Sequence, residues 1–307
     1  VGVGTSSPDA NLHVEGNVFV SSKLNVGPVV DGRAASGVEQ QQKIQASDAQ
    51  AYDYFGHSVS LSSDGNTALV GALEEDTGAT TAGAAYIFIR SGGTWSQQQK
   101  IQASDPETND YFGYSVSLSG DGNTALIGAI GEGTGAADAG AVYVFTRSGG
   151  TWSQQQKIQA SDAQAYDSFG YSVSLSSDGN TALIGARYED TGATDAGAAY
   201  IFIRSGGTWT QQQKIQASDP ETSDQFGNSV SLSSDGNTAL IGARSEDTGA
   251  ADAGAAYVFT RSGVTWSQQQ KIQASDPETG DSFGYSVSLS SDGNTALIGA
   301  RYEDTGA

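Results

Sequence analysis

The sequence predicts an all-β protein: a β-propeller of four-stranded antiparallel blades in 57-residue repeats, preceded by a short β-rich N-terminal stalk segment. Three observations predict it. The run Phe55-Gly56-x-Ser58-Val59 returns at Phe112, Phe169, Phe226 and Phe283, and Lys-Ile-Gln-Ala-Ser-Asp keeps the same step from Lys43 to Lys100, Lys157, Lys214 and Lys271. Each period holds four short runs in which apolar and polar residues alternate, as half-buried strands do. Nothing in the period has helical spacing.

The N-terminal residues differ from the rest. Leu12, Val14, Val18 and Val20 alternate with polar residues, and so short a piece cannot bury its own side chains. Residues 1–30 are therefore expected to form a stalk that associates with copies of itself, and residues 31–37 a linker. The repeats then fill 38–307. In the first complete unit, strand a is Ser58 to Ser62, with Val59 and Leu61 on one face. Asp64-Gly65 marks a hairpin turn. Strand b is Thr67 to Ala72, and strand c, rich in β-branched and aromatic residues, is Ala84 to Ile89. After the Arg90-Ser91-Gly92-Gly93 turn, strand d runs from Thr94 to Ala103, with Trp95, Ile101 and Ala103 sharing a face. Its Gln97-Gln98-Gln99 triplet reads as the polar part of an outer strand. Residues 38–46 read as a d strand with no a, b or c before it, and 283–300 as a and b strands with no c or d after them. A shared closing blade would lack strand c. The alternatives are a fragment of a larger ring, a strand supplied from elsewhere, or an open array whose free edges invite end-to-end assembly. Val1 in place of Met, and a stop inside a repeat, predict a piece of a longer protein.

Composition excludes whole classes. The 307 residues contain no cysteine, which removes disulfides, thiolate metal sites and cysteine nucleophiles. A net charge of −21 repels nucleic acid and anionic membranes, and no apolar run is long enough for membrane insertion. It favours cations, cationic partners or solubility in salt.

Phe55-Gly56-x-Ser58-Val59 and Leu69-Val70-Gly71-Ala72, with their four later copies, resemble the FG-GAP repeat, the blade unit of the α-integrin propeller. That resemblance covers about residues 38–307 and implies a propeller, an extracellular setting and adhesive or ligand-binding work. The family often carries a calcium loop between strands a and b. Here that place holds Ser62-Ser63-Asp64-Gly65-Asn66-Thr67, whose single carboxylate is too few for a cage of six to eight oxygens and reads as a tight turn. Residues 1–27 resemble the Gly-x-Gly-Thr-x-x-Pro and Leu-x-Val-x-Gly-x-Val modules of viral and phage fibre stalks.

In a four-stranded meander the d–a and b–c loops emerge at one end and the a–b and c–d turns at the other. The first group holds 26 of the 35 acidic residues, offset there by Arg187, Arg244 and Arg301. A strongly negative end follows. The same loops carry most differences between units: of seven substitutions between residues 43–99 and 157–213, those at positions 54, 57, 73, 74 and 81 lie in or beside them. Varied loops on near-identical strands read either as a display surface or as neutral drift. The candidate cation ligands are Asp48, Asp53, Glu75 and Asp76, all oxygen donors suited to calcium. Their counterparts are Asp105 and Asp110, then Asp162, Asp167 and Asp190, then Asp219, Asp224 and Asp247, then Asp276, Asp281 and Asp304. The alternative is that they close turns. Candidate binding-surface residues are Tyr54, His57, Tyr114, Tyr171, Arg187, Tyr188, Asn228, Arg244, Tyr285, Arg301 and Tyr302.

No catalytic constellation stands out. His13 and His57 do not repeat, while the Glu75-Asp76 pair recurs too regularly to mark one active site, and Trp95 and its copies read as packing between units. The sequence therefore predicts a protein that is not an enzyme: a structural or adhesive protein of a virion fibre or surface filament, self-associating and meeting a surface protein or glycan. The alternative is a calcium-dependent, lectin-like or protein-binding module.

Overall fold

The computed structural model describes residue 40 and residues 42–303. The chain divides between Lys43 and Ile44, and the fold concerns the part from Ile44 onward. The expected stalk (1–30) and linker (31–37) lie outside the described residues.

Among the described residues, eighteen strands form five sheets. The first is β1 (Phe55–Leu61), β2 (Thr67–Ala72), β3 (Ala84–Ser91) and β4 (Thr94–Ile101), paired antiparallel in chain order. The second is β5 (Phe112–Leu118), β6 (Thr124–Ala129), β7 (Ala141–Ser148) and β8 (Thr151–Ile158). The third is β9 (Phe169–Leu175), β10 (Thr181–Ala186), β11 (Ala198–Ser205) and β12 (Thr208–Ile215). The fourth is β13 (Phe226–Leu232), β14 (Thr238–Ala243), β15 (Ala255–Ser262) and β16 (Thr265–Ile272), and the last is β17 (Phe283–Leu289) with β18 (Ala296–Ala300). Strands a and c run longer than expected, β1 starting at Phe55 and β3 reaching Ser91. Residues 42–46, expected as part of a lone d strand, are not a strand. Among the described residues they have no third strand to pair with. Ala46 and Ile44 instead lie against the first sheet's Val70 and Tyr86.

Each sheet packs its back on the front of the next. Leu69, Ile87 and Ile101 of the first sheet meet Phe112, Val116, Ile127, Tyr143 and Trp152 of the second. The second strand is covered on both faces, so all six residues of β2 are buried and it reads as a continuous small and apolar run. First strands of successive sheets lie closely against one another, while fourth strands barely meet. That is the blade packing of a propeller-like repeat fold.

The recurrent glycines mark this joint. A Cβ on Gly71 would lie 2.0 Å from the carbonyl oxygen of Gly113, and the joints at Gly128, Gly185 and Gly242 are equally tight, at 2.0 to 2.2 Å. The same carbonyl accepts a hydrogen bond from Ser58 Oγ at 2.7 Å. The Phe-Gly and Gly-Ala pairs are therefore the two halves of one backbone contact between neighbouring units. At the outer strands the glutamines do the joining: Gln99 Nε2 donates to Trp152 O at 2.9 Å and its Oε1 accepts from Trp152 N at 2.8 Å. The Gln triplet is thus an inter-unit clasp.

The first and fifth sheets each present apolar side chains that interior sheets cover. Val59 is 69% exposed against 9% for Val116, and Leu297 is 75% exposed against 0% for Leu240. Truncation should therefore depend on the unit. Leu240→Ala is expected to cost about 3 kcal/mol in urea unfolding and Leu297→Ala under about 0.5 kcal/mol. Equal costs would contradict the stacking.

Candidate functional site

The loops entering the first strands and those joining second to third strands gather at one end of the sheets. Hydrogen bonds tie each entry loop to the preceding unit: Asn109 N donates to Thr80 O, Tyr111 N to Thr81 O and Phe112 N to Ala82 O, at 2.8 to 3.2 Å. Glu75 follows β2 and Asp64 precedes it, so the two lie at opposite ends of that strand, as the sorting of the acidic residues requires.

The acidic end is not a bare negative surface. Lys100 Nζ, at the end of β4, donates to Asp48 Oδ2 at 2.8 Å, Glu75 Oε1 at 2.7 Å and Thr77 Oγ1 at 2.9 Å. Asp48 Oδ1 accepts from Tyr86 OH at 2.9 Å, and the ammonium lies 5.6 Å from the centre of that ring. Lys157 repeats this with Asp105, Glu132 and Tyr143, Lys214 with Asp162, Glu189 and Tyr200, and Lys271 with Asp219, Glu246 and Tyr257. Burial raises the Asp48 pKa, but the Lys100 and Tyr86 hydrogen bonds outweigh it and hold the carboxyl below its usual range. Burial likewise opposes the charge on Lys100, and its two carboxylate bonds outweigh it and raise its pKa. The expectation that only three arginines offset the charge is corrected: four lysines reach back from the fourth strands. The signal was present, because each opens the Lys-Ile-Gln-Ala-Ser-Asp run that follows, one period on, the run ending in the aspartate it binds.

The expected cation ligands are thus brought to one end but not to one point. Glu75, 1% exposed, and Asp48 share an ammonium. Asp53 accepts from Gln50 N at 2.6 Å, and Asp110, Asp167, Asp224 and Asp281 close the same turn in later units. Asp76, Asp190 and Asp247 cap the backbone N–H of residues 81, 195 and 252. Asp276 accepts only from Ser275 Oγ among the described residues, and Asp304 lies outside them. No group of three or more acidic or histidine side chains among the described residues is disposed to hold a metal ion. The a–b turn does not fit calcium either: Asp64 is taken up by Ser62 Oγ, Asn66 N and Asn66 Nδ2 at 2.6 to 3.0 Å.

The expected binding-surface residues form a column across the units. His57, Tyr114 and Tyr171 stack with centroids 5.0 Å apart at each step. Burial lowers the His57 pKa and raises that of Tyr114. Arg187 lies over Tyr171 and Tyr188, and donates from Nη1 to Tyr171 OH and from Nε to Gln225 Oε1. Arg244 shares Gln225 and approaches Tyr285, while Arg301 stacks on Tyr285 and Tyr302. Asn228 Nδ2 donates to Tyr285 O. Tyr54, 53% exposed, stands apart from the column. Sequence reasoning missed Asn109, Tyr111, Asp138 and Tyr166, which line a cleft at this end with Tyr188.

Fold and joints define a propeller-like repeat protein. The chain belongs to the FG-GAP repeat family, whose model matches residues 38–88, 95–145, 152–202, 209–259 and 266–307. No curated protein matches it in sequence. Among solved structures it is similar to the periplasmic gluconolactonase of Pseudomonas aeruginosa, at 18% identity and TM-score 0.53 over 78% of this chain and 64% of that one. It is also similar to a candidate 6-phosphogluconolactonase of Bacteroides uniformis, at 16% identity and TM-score 0.50 over 72% and 55%. The chain spans less than two thirds of either, and identities this low carry the fold alone. They nonetheless overturn the expectation of a protein that is not an enzyme, because the fold is shared with proteins named as lactonases.

The turn-closing aspartates give a pH prediction. Burial pushes Asp110 and Asp167 up to about 6 and Asp224 up to about 7. Asp167 Oδ1 and Asp224 Oδ1 are buried without a hydrogen-bond partner. A folded pKa above the unfolded value near 4 means the native state holds more protons between the two, so these groups weaken the fold as pH rises from about 4 to 7. Asp167→Asn should therefore raise the melting temperature by a few degrees at pH 8 and by less at pH 5. A larger gain at pH 5 would contradict the assignment.

Proposed function

We propose that the chain is an extracellular recognition module, an adhesive FG-GAP propeller whose acidic loop end meets a surface protein or glycan. The observation that carries this reading is the distribution of variation over a fixed frame. Positions 54, 73, 74 and 81 and their counterparts differ among units and sit in loops clamped by the lysine clusters. At the opposite end the a–b turns are nearly invariant and bond to one another, Ser63 N to Gly120 O, Gly120 N to Ser177 O and Ser177 N to Ser234 O, each at 2.9 Å. Clamped loops with varied tips hold side chains in place before a ligand arrives, which lowers the entropic cost of binding. FG-GAP repeats are typically extracellular. The finer setting, a virion fibre or cell-surface filament with self-association through residues 1–30, draws its support from the sequence pattern of that segment.

A second reading, hydrolysis of a sugar lactone, draws on the fold shared with the gluconolactonase and on Asp110 and Asp167, whose carboxyls titrate near 6 at this same end. Turnover of δ-gluconolactone above the uncatalysed rate would favour it.

The cysteine-free chain allows a direct test. A polyethylene glycol maleimide is attached at Thr194→Cys, in a loop of the acidic end, or at Thr208→Cys, at the opposite end. Binding to a panel of immobilised surface glycans and proteins is then measured. Blockade by the Thr194→Cys adduct alone is expected. Blockade by the Thr208→Cys adduct alone would overturn the reading.

A further inference from the structure

One cleft at the acidic end differs from the corresponding places in the third, fourth and fifth units in the residues that line it. It lies where loops of the second and third units meet, has a volume of about 360 Å³, and receives rings from Tyr111, Tyr166 and Tyr188. Its cause is two residues. The third, fourth and fifth units hold Arg187, Arg244 and Arg301 where the second holds Ile130 and the first Leu73. Arg187 fills its own place, 8% exposed and bonded to Gln225 at 2.9 Å. Beside Ile130, Gly131 stands where those units hold Tyr188, Ser245 and Tyr302. A Cβ on Gly131 would lie 2.0 Å from Asn109 O and 3.2 Å from a ring carbon of Tyr111, so this joint closes only on glycine.

We infer that this cleft is a binding subsite for a neutral pyranose ring. The inference rests on the recognition reading above and names the ligand class at one place on that surface. A pyranose presents an apolar face of C–H groups and a rim of hydroxyls. The cleft's lining offers the complement: three tyrosines for the face, and Asp138, Ser168 and Asn109 for the hydroxyls. The three tyrosine hydroxyls and the Asp138 carboxylate make no hydrogen bond to a described side chain, so they are open to a ligand.

Charge selects the neutral class. No lysine or arginine lines the cleft, while Asp138 does, and the chain carries −21 overall, which disfavours an anion. The Arg187 guanidinium already lies 4.6 Å from the centre of the Tyr188 ring, which disfavours a second cation there.

The cleft is also built before any ligand arrives. Asn109, Tyr111, Asp138, Tyr166 and Ser168 have φ of 68°, 57°, 50°, 73° and 56°, a left-handed backbone rarely held by non-glycine residues. Hydrogen bonds to the neighbouring unit fix it: Tyr111 N to Thr81 O at 3.2 Å and Tyr166 N to Ala137 O at 2.8 Å. Other units share this backbone, so the frame is general, and the residues set on it give this joint its tyrosine-lined cleft.

The probes are the methyl α- and β-glycosides of glucose, galactose, mannose and N-acetylglucosamine, titrated into the full chain by saturation-transfer NMR. At least one is expected to bind, and Tyr166→Ala and Ile130→Arg, the latter installing the residue of the third to fifth units, should each weaken it about tenfold. Val264→Ala, at an exposed turn of the opposite end, should leave it unchanged. The inference is overturned if none of the glycosides binds, or if one binds and neither cleft variant, shown folded by circular dichroism, weakens it. If a protein partner is blocked by the Thr194→Cys adduct but unaffected by Tyr166→Ala, the recognition reading stands and the sugar subsite falls. If nothing binds at that end, both fall.

Discussion

Each four-stranded unit is braced by one largely buried ammonium. The lysine at the end of each fourth strand holds an aspartate from the loop that entered its own sheet and a glutamate from the loop between its second and third strands. The glutamates are almost wholly buried, Glu189 at 0% exposure, and a buried carboxylate is tolerable only when paired and hydrogen-bonded. Here the threonine two residues on supplies both a backbone and a hydroxyl donor as well. The cluster thus fixes both loops of a unit at once, which is why the acidic end can be crowded with carboxylates and still be ordered. It also explains why those carboxylates do not form a metal cage: a protein-borne cation already sits between them.

The joints between units follow the same economy of repetition. One backbone contact, Gly71 against Gly113, sets the inner spacing, and glutamine amides set the outer one. Because the frame is nearly identical from unit to unit, small departures have local consequences. Replacing an arginine and its neighbour by Ile130 and Gly131 leaves the strands untouched and opens a cleft.

Much of the fold was legible because its signals are local and repeated. Val59 and Leu61 alternate with serines, Asp64-Gly65 turns the chain, and the small apolar run of β2 marks a strand buried on both faces. The stretch around Gln42 to Ala46 was misread because strand propensity counts only when a partner strand is present to pair with it. Counting formal charge located the acidic end but not its neutralisation, since Lys100 is 52 residues from Asp48 and meets it only in the folded sheet. The aromatic cleft was invisible for a related reason. Tyr111, Tyr166 and Tyr188 are spread over separate loops, and the arginine that stands at this place in the third to fifth units is Ile130 here.

Chemical unfolding of Lys214→Met tests the ion cluster most directly. The substitution keeps the apolar stem and removes the charge, leaving Glu189 buried and without its partner. The account predicts a loss of about 3 kcal/mol at pH 7. A change within about 0.5 kcal/mol, the range of an ordinary surface substitution, would contradict it.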